Sequence, residues 1–357
     1  MRARQIDCVV LVPGANLRYL TGLNFHLMER ATIGFFPVEG LPSLTLPALE
    51  VARFEAAHPF EARVFSYGDS DDPAEAVRMA ILALPEIQRA AVEYLRMRVH
   101  ELRLVQRRLP NALLEDAGPL MDALRRVKSS DEIAAIRRAV AISEAALQDV
   151  IDALEPGLTE RQIAARLEVA QLERGGGSAP FAPIVQIGPG AALPHGEPGD
   201  RPLSPGEVLL CDFGTTCEGY ASDITRTFFV GRQPEGRARD IYETVKAANA
   251  AGRAAAGPGV PCSEVDRAAR QVIEQAGFGE YFIHGVGHGI GLDGHEGPYL
   301  RDWNHAPLEP GMTFTVEPGI YIPGEIGVRI EDNLVITPDG AQTLTTFNRE
   351  LTVIDLA

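Results

Sequence analysis

The order of predicted secondary structure repeats within the second half of the chain. Two helical segments followed by two apolar, strand-like segments begin near residue 129, and the same order begins again near residue 236. Corresponding positions lie about 105 residues apart, as Asp212 and Glu317 do. The two copies share little sequence, so the repeat is one of structure. It predicts a domain with an internal pseudo-two-fold repeat, in which two strand hairpins meet at the centre.

Capping signals support the positions of these helices. Ser129 with Glu132, and Thr159 with Gln162, have the spacing of capping boxes, in which the two side chains satisfy the first free backbone N–H groups. Ser263, with Asp266 at the box position, predicts the start of the corresponding helix in the second copy.

The first 126 residues have a different pattern. Short apolar runs such as "CVVLVPG", "ATIGFFPV", "LPSLTLP" and "EARVFSY" predict strands, and "DPAEAVRMAILAL" and "VHELRLVQRRLP" predict helices. The sequence therefore predicts an α+β protein of two domains. A smaller α/β domain spans 1–126, and the repeat domain spans 127–357.

Composition excludes several kinds of partner. The formal net charge of −16 disfavours binding to nucleic acid or to an anionic membrane surface, because both need a basic face. No apolar run reaches the roughly 18 residues of a membrane span, and the N-terminus does not predict a signal peptide. The four cysteines form no C-x-x-C pair and suit a reducing compartment. We therefore expect a cytoplasmic protein.

Each strand-like segment of the repeat carries a carboxylate within a largely apolar run. These residues are Asp212, Asp223, Glu317 and Glu331. Four carboxylates that converge in a core would repel one another and would be costly to desolvate. Two divalent cations would offset their charge, and an added imidazole ligand would suit Mn, Co, Zn or Fe better than Ca or Mg. The pattern predicts a two-metal site.

The stretch "IHGVGHGIGLDGHEGP" at 283–298 contains His284, His288 and His295 among six glycines. This glycine density argues against a helix, and therefore against a helical zinc motif. "GIGLDG" matches a dinucleotide-binding pattern, but no helix start follows it. If the stretch is extended, His284 and His288 face the same side, so that one can bind metal and the other substrate. Spacing does not decide between them.

Taken together, these motifs resemble a known family. "CDFG", "SDITRT", "HGVGHGIGLDGHEGP", "TVEPGIYIP" and "GVRIEDN" resemble the pita-bread (creatinase/aminopeptidase) metallopeptidases. That group comprises Xaa-Pro dipeptidases (prolidases), Xaa-Pro aminopeptidases and methionine aminopeptidases. "PGANLRYLTGLN" resembles the N-terminal creatinase/prolidase domain of the prolidase and aminopeptidase P branch. The resemblance implies a pita-bread catalytic domain after a smaller α/β domain, and a homodimer.

The resemblance also assigns roles to residues. It implies two divalent metal ions, manganese first with cobalt or zinc as alternatives, and the metal ligands Asp212, Asp223, His288, Glu317 and Glu331. Glu317 would also be the general base and acid. His195, His284 and His295 match histidines that contact substrate and stabilise the tetrahedral intermediate. Arg329 matches the arginine beside the last ligand, Tyr321 matches the tyrosine after "EPG", and His26 is a candidate to reach the active site of a dimer partner.

The implied reaction is hydrolysis of an N-terminal Xaa-Pro bond in a short proline-containing peptide, by a hydroxide that bridges the two metals. The N-terminal domain, "RYLTG", Tyr321 and the arginine of "GVRIED" favour the proline branch over methionine aminopeptidase. Compact prolidases often carry arginine directly after "HExP", whereas this chain has Tyr299 there and Arg301 two residues later. Prolidase and Xaa-Pro aminopeptidase therefore both stay open.

Two further alternatives concern the role of the site. Some relatives keep the fold without metal, as amidinohydrolases or as binding modules for protein or nucleic acid, but they have lost metal ligands, and all five are present here. Arg329 could serve structure alone by pairing with Glu331 or Asp332.

Overall fold

The structure, a computed structural model, describes residues 1–57 and 60–356. The chain divides into two compact units, Met1–Arg125 and Arg126–Ala357. Each unit has apolar clusters of its own. Among the described residues, no helix is both long enough and apolar enough to cross a membrane.

The N-terminal unit is an α/β domain built on a mixed sheet with strand order β4-β3-β2-β1-β5-β6. Its elements are, in chain order, β1 (Cys8–Leu11), α1 (Ala15–Thr21), β2 (Ile33–Pro37), β3 (Ser43–Pro47), α2 (Ala48–Ala57), β4 (Arg63–Tyr67), α3 (Pro73–Leu82), β5 (Arg89–Val92), α4 (Val99–Gln106), β6 (Leu113–Asp116) and α5 (Gly118–Arg125). Strand β1 pairs antiparallel with β2 and parallel with β5. The predicted strands β1 to β4 and helices α3 and α4 are present.

The second unit contains long helices and two principal sheets. Its elements are, in chain order, α6 (Ser130–Asp152), α7 (Glu160–Glu173), β7 (Ile184–Ile187), β8 (Val208–Phe213), β9 (Thr216–Cys217), β10 (Tyr220–Ala221), β11 (Ile224–Val230), α8 (Arg237–Ala255), α9 (Cys262–Gln275), β12 (Gly287–Gly289), β13 (Glu296–Leu300), β14 (Thr313–Val316), β15 (Gly319–Ile322), β16 (Ile326–Arg329), β17 (Asp332–Thr337), β18 (Gly340–Thr343) and β19 (Val353–Ile354). The sheets have strand orders β19-β11-β8-β7 and β13-β12-β14-β17-β18.

The two copies of the repeat are visible in this order. Helices α6 and α7 precede the antiparallel pair β8–β11, and α8 and α9 precede the antiparallel pair β14–β17. The two hairpins meet, because the Glu331 N–H donates to the Thr225 carbonyl at 3.1 Å and the Thr227 hydroxyl donates to the Arg329 carbonyl at 2.9 Å. The predicted α+β fold with an internal repeat is confirmed.

One strand-like run is divided. "GVRIEDNLVIT" contains the end of β16 and all of β17, with Ile330 and Glu331 between them. Strand β16 pairs with β15 in a small separate ribbon, whereas β17 pairs with β14 and β18. The change of partner places Glu331 at the junction of the two strands.

Two of the three predicted capping boxes are present. The Ser129 and Thr159 side chains each accept the backbone N–H three residues on, and Glu132 and Gln162 return the contact. The prediction of a capping box at Ser263 was wrong. Pro261 is the N-cap of helix α9, so the helix begins at Cys262, two residues earlier than a cap at Ser263 implies, and the Ser263 hydroxyl instead lies 3.0 Å from Nδ1 of His305. The Asp266 carboxylate is held by other donors.

Removing the capping box at Ser129 should lower the stability of the protein measurably. We expect Ser129→Ala to lower the free energy of unfolding by about 1 kcal/mol, because the cap satisfies otherwise free N–H groups. Urea unfolding of the whole chain measures this change. The neighbouring exposed Ser130 lies inside the helix and serves as the control, since Ser130→Ala should change stability little. Equal losses in both variants would contradict the capping role of Ser129.

Candidate metal centre

Four carboxylates converge where the two hairpins meet. Asp212 lies near the end of β8, Asp223 immediately before β11, Glu317 after β14 and Glu331 before β17. Oxygen atoms of Asp212, Asp223 and Glu331 lie within 4.8 Å of one another, and so do ligand atoms of His288, Glu317 and Glu331. All but Glu317 are buried. The fold therefore concentrates negative charge at the contact between its two repeats.

The charges of these carboxylates are poorly compensated by the protein. Burial, followed by the charges of Glu331 and Asp212, raises the pKa of Asp223 well above its ordinary value. Burial, with the charges of Glu317 and Asp212, does the same to the pKa of Glu331. Among the residues that the structure describes, Oδ1 of Asp212 and Oδ1 of Asp223 have no hydrogen-bond partner. Buried, unpartnered carboxylate oxygens are the donors that hard divalent cations require, so this set fits metal ions.

His288 completes this group from strand β12. Its Nδ1 lies 3.1 Å from the Gly289 carbonyl, which can only accept, so Nδ1 carries the proton and Nε2 can serve as a ligand. Nε2 is 3.2 Å from Oε1 of Glu317 and 3.7 Å from Oδ2 of Asp223. The surrounding glycines permit close strand approach, since a Cβ at Gly287 would lie 2.0 Å from the Thr315 carbonyl oxygen.

Arg329 lies beneath the carboxylates and contacts one of them directly. Its guanidinium pairs with Asp212 and donates to the Thr225 hydroxyl at 3.1 Å and to the Tyr321 hydroxyl at 2.8 Å. The purely structural alternative named Glu331 or Asp332 as the partner, whereas the carboxylate that Arg329 contacts is Asp212. Asp332 instead pairs with Arg226 at 2.8 Å and Arg349 at 2.6 Å. The reason is the break before β17, which turns these neighbouring carboxylates to different partners.

His284 is held by two hydrogen bonds beside the cluster. Its Nδ1 lies 2.8 Å from the Gly285 carbonyl, and its Nε2 lies 2.9 Å from the Tyr321 hydroxyl. Burial raises the pKa of Tyr321 to about 12, so the phenol keeps its proton and donates it to Nε2. Burial lowers the pKa of His284. The imidazole is therefore neutral and fixed in orientation, and Tyr321 is a polar contact rather than a purely apolar core residue.

His295 and His195 lie on exposed loops at the same site. The His295 ring stacks on His288 with centroids 3.6 Å apart. Burial and the charge of His288 lower the pKa of His295 to about 4, so this imidazole is neutral near pH 7. Both His195 and His295 line the cavity over the carboxylates.

The cavity has a volume of about 530 Å³, which is in the range of small-molecule sites. Its outer wall includes Tyr299 and the exposed Arg301, and the space for the Arg301 side chain depends on Gly285, where a Cβ would lie 2.5 Å from Cγ of Arg301. Phe181 and Pro194 add apolar wall. His26 belongs to the N-terminal unit, where it is exposed beside Phe25 and Met28.

Sequence reasoning did not assign two polar residues of this site. Thr225 donates to Oε2 of Glu331 at 2.7 Å and accepts from Arg329, so it joins the two hairpins. Arg226 is fully buried and donates to the Glu331 carbonyl at 2.6 Å. The sequence did contain a signal for these two residues. An arginine that follows a threonine within an apolar strand is buried, and a buried charge requires a polar partner.

Both units of the chain match known family models. Residues 134–338 match the model of metallopeptidase family M24, and residues 1–127 match the creatinase/prolidase N-terminal domain. A Xaa-Pro dipeptidase of Lactobacillus delbrueckii subsp. lactis is 37% identical over 98% of this chain and 95% of its own length.

Two solved structures with the same fold have different assigned names. A prolidase from Thermococcus sibiricus has 34% identity and a TM-score of 0.94, covering 99% of this chain and 95% of its own. An X-Pro aminopeptidase from Thermotoga maritima has 30% identity and a TM-score of 0.87, covering 99% of this chain and 97% of its own. Fold likeness therefore does not separate the two activities.

Proposed function

The chain belongs to metallopeptidase family M24, and on that premise we propose that it hydrolyses the Xaa-Pro bond of dipeptides, as a prolidase does. The observation that carries the proposal is the group of four carboxylates and His288 at the floor of a cavity that also contains three further histidines. This donor set suits divalent metal ions, and the cavity accommodates a short peptide.

We propose that Asp212, Asp223, His288, Glu317 and Glu331 hold two divalent ions. Bound there, the ions would polarise the substrate carbonyl and lower the pKa of a bound water. The oxygen-rich donor set favours manganese, with cobalt or zinc as alternatives. The pairing of Arg329 with Asp212 leaves the other oxygen of that carboxylate available as a ligand.

Glu317 is proposed as the group that moves the proton. In the metal-free protein, burial acts to raise its pKa, but the hydrogen bond and charge of a His288 ring that holds a proton on Nε2 lower it to about 2, so Glu317 is ionised there. It would take the proton from the attacking water and return it to the proline nitrogen. The neutral His295 would donate a hydrogen bond to the developing oxyanion. His284 and His195 would line the substrate, with Tyr321 fixing the His284 ring.

Dipeptide preference is proposed to depend on Arg301. A dipeptide carries its carboxylate one residue beyond the scissile bond, and Arg301 is a cationic side chain at the outer wall of the cavity, beside Tyr299. We expect Arg301→Leu to raise KM for Ala-Pro about 10- to 100-fold, the equivalent of one lost charged hydrogen bond. Steady-state kinetics on Ala-Pro and Ala-Pro-amide measure it.

The amide substrate lacks the carboxylate, so its KM should be the same in both proteins. Arg267→Leu is the matched control, since Arg267 is exposed on α9 and pairs with Glu264. If Arg301→Leu raises KM equally for Ala-Pro and Ala-Pro-amide, Arg301 does not bind the substrate carboxylate.

Hydrolysis by chelator-treated enzyme after addition of Mn, Co or Zn tests the proposed function. Ala-Pro, Ala-Pro-Ala and Met-Ala-Ser are compared side by side. Metal-dependent cleavage of Ala-Pro, with little of the tripeptides, is the expected result. Preferred cleavage of Ala-Pro-Ala would instead make the protein a Xaa-Pro aminopeptidase. Turnover of Met-Ala-Ser alone would reject the proline branch, and no turnover with any metal would favour a binding protein.

We further propose a cytoplasmic homodimer in which His26 reaches the partner's active site. The four cysteines are free, as a reducing compartment requires. The exposed position of His26 leaves it accessible to another copy of the chain. Light scattering of the pure protein tests the dimer, and mixing His26→Ala subunits with inactive Glu317→Gln subunits tests the shared site.

A further inference from the structure

A second set of buried carboxylates contacts the backbone of segments near the cavity. These residues are Glu160, Asp266 and Glu296, with relative exposures of 5%, 1% and 9%. None lines the cavity among the residues described. Each one accepts at least one backbone N–H from a segment that carries, or adjoins, one of the three histidines proposed to act on substrate.

Glu160 closes the loop that carries His195. Its Oε1 accepts the Ile187 N–H at 2.7 Å and its Oε2 accepts the Gly199 N–H at 2.8 Å. These two donors lie on either side of the segment 188–198, so one carboxylate ties both ends of the loop together. Gln186 donates to the Glu197 carbonyl at 2.9 Å and packs below Gly196, which further restricts the position of the neighbouring His195.

Asp266 acts on the segment that carries His284. Its Oδ1 accepts the Val286 N–H at 2.9 Å, and both its oxygens accept from Arg270, at 2.9 and 3.1 Å. The same guanidinium donates to the Phe282 carbonyl at 3.0 Å and to the His284 carbonyl at 2.7 Å. The pair on α9 therefore fixes the backbone on both sides of His284. This use of Asp266 explains why it does not form the capping box.

Glu296 holds the turn that ends in His295. Its Oε1 pairs with Lys128 at 2.7 Å, and the two side chains are 8% and 1% exposed. Its Oε2 accepts the Asp293 N–H at 3.3 Å, and a Cβ at Gly291 would lie 2.5 Å from the carboxylate. The turn is thus wrapped closely around a buried charge, immediately before the ring that stacks on His288.

We infer that Glu160, Asp266 and Glu296 are positioning residues, each of which fixes one substrate-facing histidine, namely His195, His284 and His295 respectively. The physical reason is that a loop alone cannot keep an imidazole in one place. A buried carboxylate loses its hydrogen bonds to water, and hydrogen bonds from protein donors must replace them. Here the backbone N–H groups of these segments are among those donors. Each segment is therefore confined to the geometry that satisfies its carboxylate.

The inference rests on the proposed function for the importance of the histidines, but the coupling itself can be measured without substrate. The whole chain, loaded with diamagnetic Zn and labelled with ¹⁵N-histidine, gives ring signals for its eight histidines. Substituting His195, His284 and His295 one at a time by Gln assigns their signals. Glu160→Gln, Asp266→Asn and Glu296→Gln are then compared with the parent protein.

We expect a one-to-one pattern of shifts. Glu160→Gln should move the His195 signals, Asp266→Asn those of His284, and Glu296→Gln those of His295 together with its stacked neighbour His288. An amide can accept at one atom only, so each change removes at least one of the contacts while keeping the shape of the side chain. If all three variants move the same signals, or none, the inference is wrong.

Kinetics provides the second readout. With metal content unchanged, we expect kcat on Ala-Pro to fall about 10- to 100-fold in each variant with little change in KM, since misplacement of an acting group affects the reaction step most. Shifted ring signals with unchanged kcat would also overturn the inference. If each variant moves the signals of its own histidine but the parent protein does not cleave Ala-Pro, the proposed function is rejected. The inference that each carboxylate positions one histidine then still holds.

Glu93→Gln is the matched control. Glu93 is also 5% exposed and accepts the Val12 N–H at 2.8 Å, but it lies in the N-terminal unit. It should lower stability without moving the signals of His195, His284 or His295. If Asp266→Asn or Glu296→Gln fails to fold, Arg270→Gln and Lys128→Gln remove the partner charge instead, and the same histidine signals should move.

Discussion

Asp223→Asn should abolish hydrolysis and yet raise the melting temperature of the metal-stripped protein. The loss of activity should be at least about 10³-fold, because removing a metal ligand forfeits several kcal/mol of stabilisation of the reaction. The gain in stability follows from crowding, since the charges of Glu331 and Asp212 add to the burial of Asp223. Removing one of these like charges relieves both costs, and a gain of about 2 °C is expected for about 1 kcal/mol in a unit of this size.

Calorimetry and metal analysis of the variant measure the two effects. Asp332→Asn is the matched control, because Asp332 is also buried and directly follows Glu331 in the chain, yet it pairs with Arg226 and Arg349. Burial acts to raise its pKa, but the charges of Arg226 and Arg349 lower it, so its ionised form stabilises the fold. Its neutralisation should therefore lower the melting temperature, by the equivalent of about 3 kcal/mol. If Asp223→Asn instead lowers the melting temperature, the carboxylates of the cluster do not destabilise the metal-stripped protein by repulsion.

His295→Ala should lower kcat on Ala-Pro by about 10²- to 10³-fold while both metal ions stay bound. The expectation follows from its position and its charge state. The ring stacks on His288 at the cavity, and its pKa of about 4 makes it a neutral donor near pH 7. The loss of one such donor to a developing oxyanion has this size, because the donor acts in the transition state rather than in the bound substrate.

Metal stoichiometry separates the two possible roles of this residue. One nitrogen of His295 lies within 4.8 Å of ligand atoms of Asp223 and His288, so the ring could also reach an ion. Loss of an ion from His295→Ala would make it a ligand and would overturn the assignment as a donor. His305→Ala is the control, since His305 contacts Ser263 and not the cavity, and it should leave kcat unchanged.

Charge pattern and repeat are local properties of the chain, whereas exact helix boundaries depend on tertiary contacts. The repeat and four carboxylates on apolar strands were sufficient to predict a central charged cluster, because a buried carboxylate is unusual enough to require an explanation. The element boundaries were less certain. Ser263 matched a capping pattern, yet the helix starts at Cys262, since Asp266 bonds to Val286 and Arg270 instead. Short elements such as α1 and β5 lack enough periodicity to be recognised.

By itself, the sequence determined the two-domain organisation, the internal repeat and the residue types available for chemistry, because period, capping and charge are local properties of the chain. Only the tertiary structure decided which of those residues meet. Arg329 lies two positions from Glu331 but pairs with Asp212, and Lys128 pairs with Glu296 from 168 positions away. Such contacts arise when separate strands and loops pack together and each buried charge takes the partner that the fold brings within reach.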